Sequence, residues 1–225
     1  MLGHAGTFCK QGAPATPEII QTNLIRHYDI QNAASYPGSG TVLTDLSPQG
    51  VNGTIGGSAP FTTSGGANAL QFSGGGYVNT NSSHTCANWT VGIWVKYNGA
   101  MTSGDKRIWS SHNQNDYLFR TNSCFYSSVG GVYYPGINFS PTTEWHYIVV
   151  AFNASPRTLN FYKNNTLIVS RTSNGKTMTV LNFMRYRGGG YYGKGFIGEM
   201  QWYDKQLTAA EVTHNWDTTR ALYGK

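Results

Sequence analysis

Short extended segments, separated by turns rich in glycine and asparagine, recur along most of this 225-residue chain. The segments are rich in β-branched and aromatic residues, which favour pleated strands, and the turns use many of the 28 glycines. About a dozen such segments follow one another at intervals of roughly 8–15 residues, with no helical crossover between them. This arrangement predicts an all-β fold, a sandwich or jelly roll, rather than a parallel sheet.

Two segments indicate how the strands are buried. Thr90–Tyr97 alternates between apolar and polar residues, so it presents one apolar face. Glu144–Asn153 is apolar almost throughout, which predicts a strand buried on both faces. Asn164-Asn165 predicts a hairpin turn, because asparagine tolerates positive φ. The other predicted strands are Leu24–Asp29, Thr41–Leu46, Gly53–Ile55, Asn68–Phe72, Gly76–Asn79, Lys106–Ser111, Asp116–Thr121, Leu159–Lys163, Thr166–Arg171, Thr179–Arg185 and Phe196–Tyr203.

The two ends of the chain differ from the strand-rich middle. Residues 1–22 are dominated by Gly, Ala, Pro and Thr without any period, so we interpret them as an extended N-terminal arm, followed by one domain over residues 23–225. At the other end, Thr208 and Glu211 form a capping box that predicts a short C-terminal helix. Leu207 and Val212 occupy its hydrophobic-staple positions, and we expect Trp216 to lie in the core.

The positive charge is concentrated in the second half of the chain. The whole sequence has 16 basic and 10 acidic residues. Between Trp145 and Gly198 there is no acidic residue, whereas several are basic: Arg157, Lys163, Arg171, Lys176, Arg185, Arg187 and Lys194. Such a region favours an anionic partner, for example an acidic glycan or an acidic protein surface. The alternative is that these charges lie on solvent-exposed faces and strand edges, where they oppose aggregation.

The cysteines and the apolar runs are evidence about the cellular compartment in which the protein folds. Cys9, Cys86 and Cys124 do not form a disulfide framework, and no CxxC pair indicates zinc. A Cys86–Cys124 bridge stays open beside the alternative of three reduced thiols. The N-terminal residues lack the basic start and apolar stretch of a signal peptide. The longest apolar run, Tyr147–Phe152, is too short to cross a bilayer.

Enzymatic chemistry is not indicated by the acidic residues. A retaining glycosidase needs two carboxyl groups about 5 Å apart. No predicted strand carries two acidic residues at i and i+2 or i+4, and Glu199 is alone in its strand. The six histidines are scattered, and the chain contains no Gly-x-Ser-x-Gly. We therefore expect a non-enzymatic protein.

A series of short motifs occurs in a fixed order along residues 23–225. The series is His27-Tyr28-Asp29, Ser35-Tyr36-Pro37-Gly38-Ser39-Gly40, Thr44-Asp45-Leu46-Ser47, Asn52-Gly53-Thr54-Ile55, Thr90-Val91-Gly92-Ile93-Trp94-Val95-Lys96, Glu144-Trp145-His146-Tyr147-Ile148-Val149-Val150, Leu159-Asn160-Phe161-Tyr162-Lys163-Asn164, Gly195-Phe196-Ile197-Gly198-Glu199-Met200-Gln201-Trp202-Tyr203 and Leu207-Thr208-Ala209-Ala210-Glu211-Val212. It resembles the concanavalin A-like, laminin-G-like jelly rolls, and most of all those in virion proteins of tailed bacteriophages. The resemblance implies an antiparallel two-sheet jelly-roll sandwich with an extended N-terminal arm and a short C-terminal helix.

The resemblance also implies binding rather than catalysis. In phages such domains are capsid decoration proteins, fibres or spikes, and many are trimers. We therefore expect a virion structural protein, made in the host cytoplasm and exposed on the particle surface. It would bind capsid or tail proteins and form a homo-oligomer, with a trimer favoured. The alternative is a carbohydrate-binding, lectin-like module of a fibre or cell-surface protein that binds host-surface glycans. Neither interpretation involves a membrane, direct binding of nucleic acid or an obligatory cofactor.

The candidate ligand-binding residues are tyrosines beside glycine or proline, together with nearby arginines. Tyrosine rings suit sugar stacking, and guanidinium groups pair with acidic substituents. The alternative is a contact surface for another protein, because tyrosine and arginine also dominate protein interfaces. The candidates are Tyr133, Tyr134, Arg185, Arg187, Tyr191 and Tyr192.

One cluster of oxygen donors is a candidate calcium site. Laminin-G-like folds often hold Ca²⁺ with Asp and Asn oxygens, which are the hard ligands that this ion prefers. Asn113, Asn115 and Asp116 form the best local cluster, and Asp105 lies nearby in sequence. The alternative is an ordinary Asx-rich turn, in which case the protein has no cofactor.

Overall fold

The fold is seen in a computed structural model that describes residues 18–81, 84–97, 106–111, 117–120, 125–129, 132–137, 143–173, 177–178, 181–186 and 190–225. For residues 117–120, 125–129 and 132–137 the description covers the backbone alone. None of the described helices has the length and apolar character required to cross a membrane.

Sixteen strands and one α-helix follow one another along the described chain. The strands are β1 (Leu24–Asp29), β2 (Val42–Leu43), β3 (Gly53–Gly56), β4 (Phe61–Ser64), β5 (Ala67–Ser73), β6 (Tyr77–Asn79), β7 (Trp89–Lys96), β8 (Lys106–Ser111), β9 (Tyr117–Arg120), β10 (Phe125–Val129), β11 (Val132–Ile137), β12 (His146–Asn153), β13 (Thr158–Lys163), β14 (Thr166–Thr172), β15 (Leu181–Phe183) and β16 (Lys194–Tyr203). The helix α1 (Ala209–Thr219) is followed by a 3-10 turn, Arg220–Tyr223.

The strands form two antiparallel sheets. Sheet A has the order β14-β13-β12-β7-β16-β5-β4, and β1 pairs with the second half of β16, beyond the segment that pairs with β5. Sheet B has the order β11-β10-β9-β8-β15-β6-β3-β2. Neighbours in the sheets are distant in sequence, as in β7–β16 and β8–β15, which is typical of a jelly roll. The predicted all-β, two-sheet jelly-roll fold is confirmed.

The inner faces of the two sheets enclose the main core. Trp89 lies at its centre, with ring centroids 5.6 Å from Trp109 of sheet B and 5.6 Å from Phe152 of sheet A. All three rings are fully buried. Burying side chains of this size stabilises the fold by roughly 1.5–3 kcal/mol each. The tryptophan pair therefore joins the two sheets.

The central strands of sheet A are buried on both faces, which the sequence predicted for β12 but not for β7, where it predicted one apolar face. In β7, Val91 and Ile93 belong to the core between the sheets, whereas Trp94 belongs to a second apolar cluster on the outer face. In β12, Ile148 lies in the core and Val149 in the outer cluster. The period of two thus places alternate side chains in two different apolar layers.

The outer layer is formed by α1 and the turn that follows it. The predicted capping box is present: the Thr208 side chain accepts a hydrogen bond from the Glu211 backbone N–H, and the Glu211 carboxylate accepts one from the Thr208 backbone N–H. The Trp94 ring stacks on Tyr223 at 4.1 Å and on Trp216 at 5.2 Å between centroids. Trp216 is half-buried against the outer cluster, so its predicted core role is confirmed.

Residues 18–22, which we assigned to the arm, lie against the same helix. The Ile20 backbone N–H donates to Asn215 Oδ1 at 2.8 Å, and His214 Nε2 lies 2.8 Å from the Glu18 carbonyl oxygen. Ile19 is buried in the outer cluster. Residues 1–17 lie outside the described residues, so the extended arm stays a prediction for them.

Three strands were not predicted. Strand β4 reads Phe-Thr-Thr-Ser and is half-buried to exposed, so it has no apolar alternation to reveal it. Strands β10 and β11 carry serine, proline and glycine among their aromatic residues, a composition that resembles a loop. Their pairing within sheet B compensates for weak local preference, since cross-strand neighbours stabilise a strand as much as its own sequence does.

Candidate functional site

A hairpin that continues β15 of sheet B brings predicted site residues together. Arg185 and Tyr192 face each other in an isolated antiparallel bridge. The Tyr186 backbone N–H donates to the Tyr191 carbonyl at 2.9 Å, one step nearer the turn. The base of the hairpin is held to β8, because the Met184 N–H donates to the Ile108 carbonyl at 2.8 Å. The hairpin therefore brings Arg185 beside Tyr192 and Tyr186 beside Tyr191.

Arg185 is stacked on a tyrosine that the sequence did not single out. Its guanidinium carbon lies 3.5 Å from the ring centroid of Tyr77 in β6. The ring lies over Gly56 of β3: a Cβ atom on this glycine would be 2.2 Å from Tyr77 Cζ. Arg185 Nη2 also donates to Asn182 Oδ1 at 3.3 Å. Glycine at position 56 makes space for the ring, and the ring and Asn182 then orient the guanidinium.

A second arginine lies under the hairpin. Arg107 of β8 is 5% exposed. Its guanidinium carbon is 5.1 Å from the Tyr186 centroid and 5.5 Å from the Tyr191 centroid. The two tyrosine rings meet edge to face at 5.8 Å. Tyr191 is 47% exposed. We call Tyr77, Arg107, Arg185, Tyr186 and Tyr191 the arginine–tyrosine cluster.

Beside this cluster the outer face of sheet B is polar. Thr54, Asn79, Asn182 and Ser110 are successive cross-strand neighbours on β3, β6, β15 and β8. Their sequence neighbours Ile55, Val78, Phe183 and Trp109 fill the core, so this polar row points away from it. Thr54 is exposed and Asn79 half-buried, whereas Asn182 and Ser110 are buried. The accessible end of this row, Thr54 and Asn79, gives sheet B an outer face that can form hydrogen bonds.

The other predicted site residues are not placed in this cluster. Tyr133 and Tyr134 lie in β11, four strands away from β15 in sheet B. Arg187 and the calcium candidates Asn113, Asn115 and Asp116 lie outside the described residues, so those assignments stay predictions. Tyr192 is half-buried and joins the cluster only through its backbone bridge to Arg185.

Sequence reasoning missed Tyr77, Arg107 and Tyr186. Each comes from a different segment, and only the pairing of β6 and β8 with β15 brings them together. One local signal was available. Tyr77 precedes the buried Val78 in a strand, so the alternation of β6 already directs Tyr77 to the outer face.

A second polar site lies on sheet A, beneath α1. Asp29 of β1 and Glu199 of β16 are directly opposite each other, and His27 Nε2 lies 2.9 Å from Glu199 Oε1. Gln201 Nε2 donates to the same oxygen at 2.7 Å. A cleft of about 530 Å³ adjoins the three ionisable groups and is also lined by residues of α1 and the final turn, such as Leu222. The search for acid pairs within one strand missed this pair, which is 170 residues apart in sequence but adjacent across two strands.

The environment of this acid pair changes its ionisation. Burial raises the pKa of Asp29 to about 7, with a further contribution from the charge of Glu199, against the opposing hydrogen bond from the Gln31 backbone. Burial alone would lower the pKa of His27, but the hydrogen bond and charge of Glu199 outweigh it, so this pKa lies above its usual value. The site therefore favours a protonated Asp29 and a positively charged His27.

Residues 72–213 match the family described as the concanavalin A-like lectin/glucanases superfamily, in its Laminin_G_3 form. The matched segment runs from the end of β5 into α1. The chain belongs to this family. A search of curated proteins found no match.

Several solved structures share the fold. Domain 4 of AbnA, a GH43 extracellular arabinanase from Geobacillus stearothermophilus in complex with arabinotriose, has a TM-score of 0.64 and 19% identity, covering 86% of this chain and 98% of that domain. The botulinum neurotoxin type G receptor binding domain has a TM-score of 0.61 and 15% identity over 87% of this chain and 51% of its own. Trypanosoma rangeli sialidase in complex with sialic acid has a TM-score of 0.64 and 12% identity over 90% of this chain and 34% of its own. The chain thus corresponds to a whole domain of the first protein and to a part of the other two.

Proposed function

We propose that this protein is a non-catalytic carbohydrate-binding module that recognises an acidic glycan on the outer face of sheet B. The observation that carries the proposal is the setting of Arg185. Stacking on Tyr77 at 3.5 Å and a hydrogen bond to Asn182 hold the guanidinium in place. No carboxylate among the described residues pairs with it. A fixed guanidinium without an internal counter-charge is suited to a carboxylate or sulfate on a ligand.

Tyr191 provides an aromatic surface on the same hairpin, in contact with the guanidinium of Arg107. Nearly half of its surface is exposed, and its edge-to-face contact with Tyr186 orients the ring. Arg107 supports both rings from below. A pyranose ring presents C–H groups to such a face, so Tyr191 contributes apolar contact, while Arg185 on the other arm of the hairpin contributes charge.

The accessible end of the polar row, Thr54 and Asn79, adds groups that suit sugar hydroxyls. Thr54 Oγ1 already accepts a hydrogen bond from Asn81 Nδ2 at 2.6 Å, and Asn79 Oδ1 accepts one from the Asn81 backbone at 2.9 Å. These contacts orient the row without using all of its donors and acceptors. The surface therefore combines an aromatic ring, a cation and oriented hydrogen-bonding groups.

The comparisons support a binding role of this class. The family is described as lectins and glucanases, and the arabinanase domain, which this chain matches over its full length, is in complex with arabinotriose. The acid pair of sheet A does not favour catalysis, because Glu199 is 1% exposed and is already bound by His27 and Gln201.

A glycan array, followed by calorimetry on the best ligand, tests the proposal with two variants. Tyr191→Ala removes the exposed ring, and Arg185→Ala removes the charge. Leu222→Ala and Arg171→Ala are the matched controls, because both residues are exposed and neither belongs to the arginine–tyrosine cluster. We expect Tyr191→Ala to weaken binding by roughly 1–3 kcal/mol, about 5- to 150-fold. Arg185→Ala should weaken the binding of acidic glycans more than the binding of neutral ones.

Two results would overturn the proposal. One is an array on which the wild-type chain binds no acidic glycan. The other is binding that both control variants weaken as much as the cluster variants do. Rising salt should also weaken the interaction, since partly exposed charges are screened.

A second candidate function is that of a virion structural protein that assembles with neighbouring subunits on the particle surface. The observation that favours it is β14, an edge strand of sheet A on which Leu167 and Ile168 are 46% and 41% exposed. An unpaired edge with apolar side chains can pair with another chain. Native mass spectrometry tests it: a trimer or another oligomer that Leu167→Lys dissociates would support this function, and a monomer that does not associate with capsids would contradict it.

A further inference from the structure

A mixed group of metal-ligating side chains lies where β16 ends. It consists of His84, Cys86 and Asp204, whose ligand atoms all lie within 4.8 Å of one another. His84 Nε2 is 3.0 Å from Asp204 Oδ2. No other group of three such donors of this compactness occurs among the described residues. The group shares no residue with the arginine–tyrosine cluster.

The backbone holds two of these residues in place. Cys86 and Met178 exchange backbone hydrogen bonds of 2.8 and 2.9 Å, which ties the segment before β7 to the segment before β15. The Asp204 backbone N–H donates to the Asn23 carbonyl at 2.9 Å. The His84 and Asp204 side chains are 37% and 35% exposed. The backbones of Cys86 and Asp204 are thus fixed by the sheets, whereas the side chains of His84 and Asp204 can adjust.

We propose that His84, Cys86 and Asp204 form a three-ligand binding site for Zn²⁺. Zinc takes sulfur, nitrogen and oxygen donors at about 2.0–2.3 Å, so two ligands of one tetrahedral ion lie about 3.3–3.6 Å apart. At 3.0 Å, His84 Nε2 and Asp204 Oδ2 must move slightly apart to share one ion, and no two ligand atoms of the group are more than 4.8 Å apart. Small movements of the side chains are therefore sufficient. The side chains of His84 and Asp204, 37% and 35% exposed, leave a fourth coordination position open to water.

Without a metal, the surroundings of the sulfur favour the neutral thiol. Burial, the charge of Asp204 and a hydrogen bond with Asp204 raise the pKa of Cys86, and the nearby indole N–H of Trp202 opposes only part of this rise. A metal at this site therefore has to displace the thiol proton. Zn²⁺ neutralises the carboxylate and displaces the thiol proton to solvent, and the resulting Zn–S⁻ sulfur is a better acceptor for the indole.

The alternative is a hydrogen-bonded cluster without a metal, in which Cys86 stays protonated beside the His84–Asp204 pair. Cobalt(II) distinguishes the two, because a thiolate ligand gives a near-ultraviolet charge-transfer band and tetrahedral coordination gives intense visible bands. The experiment uses the full chain carrying Cys9→Ser and Cys124→Ser, so that Cys86 is the only thiol. The protein is treated with a chelator, titrated with Co²⁺ and then competed with Zn²⁺.

We expect one Co²⁺ per chain, with both sets of bands, displaced by one Zn²⁺. Cys86→Ser should abolish the charge-transfer band. His84→Gln and Asp204→Asn should weaken binding on the order of tenfold or more, whereas the matched variants His214→Gln and Asp217→Asn should bind as the parent does. Zinc should also raise the melting temperature of the parent, because a ligand of the native state stabilises it.

A spectrum without the charge-transfer band would overturn the inference, as would equal affinity in His84→Gln, Asp204→Asn and the parent. The two substitutions at half-exposed positions keep the test decisive if Cys86→Ser does not fold. Because no residue is shared with the arginine–tyrosine cluster, glycan binding and metal binding can fail independently.

Discussion

Asp29 lies directly opposite Glu199 across the antiparallel strands β1 and β16. Two acidic groups at facing positions repel each other when both are ionised. Here His27 binds Glu199, and Asp29 has its pKa raised to about 7. The acid pair is therefore a place where the protonation state of the native protein differs from that of the unfolded chain.

The first prediction concerns Asp29→Asn. Between pH 4 and 7 the unfolded chain, with a carboxyl pKa near 3.8, releases the proton that the native Asp29 retains. The native state thus binds more protons, and its free energy of unfolding falls as pH rises through this interval. Asparagine still accepts the Gln31 N–H but carries no charge. We expect the variant to be more stable than the parent at pH 8, by about 1–3 kcal/mol, and similar to it at pH 4.

Urea unfolding at pH 4, 6 and 8 measures this difference. Asp217→Asn is the control, because Asp217 is an exposed acid of α1. If the free energy of unfolding changes with pH in the same way for Asp29→Asn and the parent, then Asp29 does not hold the extra proton.

The second prediction concerns His146, which makes the protein less stable as the pH falls rather than as it rises. Burial, with smaller effects of Lys163 and Lys225, lowers the pKa of this buried histidine to about 4. As pH falls from 6.5 to 4, the unfolded chain takes up a proton that the native protein excludes, so stability is lost over this interval. His146→Gln should reduce this loss of stability, measured as unfolding against pH in acid. His214→Gln, at an exposed helix position, should leave the curve unchanged, and an equal effect of both variants would refute the prediction.

The third prediction concerns the hydrogen bond that anchors α1 to sheet A. Trp94 Nε1 donates to Thr219 Oγ1 at 2.9 Å, and both side chains are buried. Thr219→Val keeps the shape but leaves the indole N–H unpaired, which costs about 1–3 kcal/mol. Thr213→Val, a half-buried position of the same helix, controls for the lower helix preference of valine. Chemical denaturation should separate the two variants; equal costs would mean that the bond contributes nothing.

The fourth prediction concerns close packing between β16 and the final turn. A Cβ atom on Gly198 would lie 2.3 Å from Tyr223 Cε1, and Tyr223 is 2% exposed. Gly198→Ala should therefore displace this ring and destabilise the protein by about 1–3 kcal/mol. Gly75→Ala is the matched control, since a Cβ there meets nothing within 4 Å. The prediction fails if the melting temperatures of the two variants agree.

Local patterns were sufficient for much of the fold. The bounds of β1 and β8 agree with the sequence prediction, and the alternation of β7 assigns Val91 and Trp94 to the correct layers. Asn164 has φ of 59°, as expected of the hairpin turn. These features depend on neighbours in sequence, where side-chain period and turn chemistry act directly.

The candidate site was only partly predictable, because its geometry depends on pairing between distant strands. Arg185 and Tyr191 were predicted as ligand-binding residues, but nothing near them in sequence indicates Tyr77 or Arg107. The same applies to the Asp29–Glu199 pair and to Asp204 beside Cys86. Sequence patterns identify which face of a strand is polar, but they do not determine which strand lies next to it.

The outer contacts of sheet A have a practical consequence for handling the protein. Residues 18–22 and α1 lie on that side, opposite the polar face of sheet B across the core. A fusion partner, dye or solid support attached to an exposed residue of α1, such as Asp217, would therefore be joined to the rear of the sandwich. Attached in this way, the molecule would keep its recognition surface directed outwards, as a sensor or affinity matrix requires.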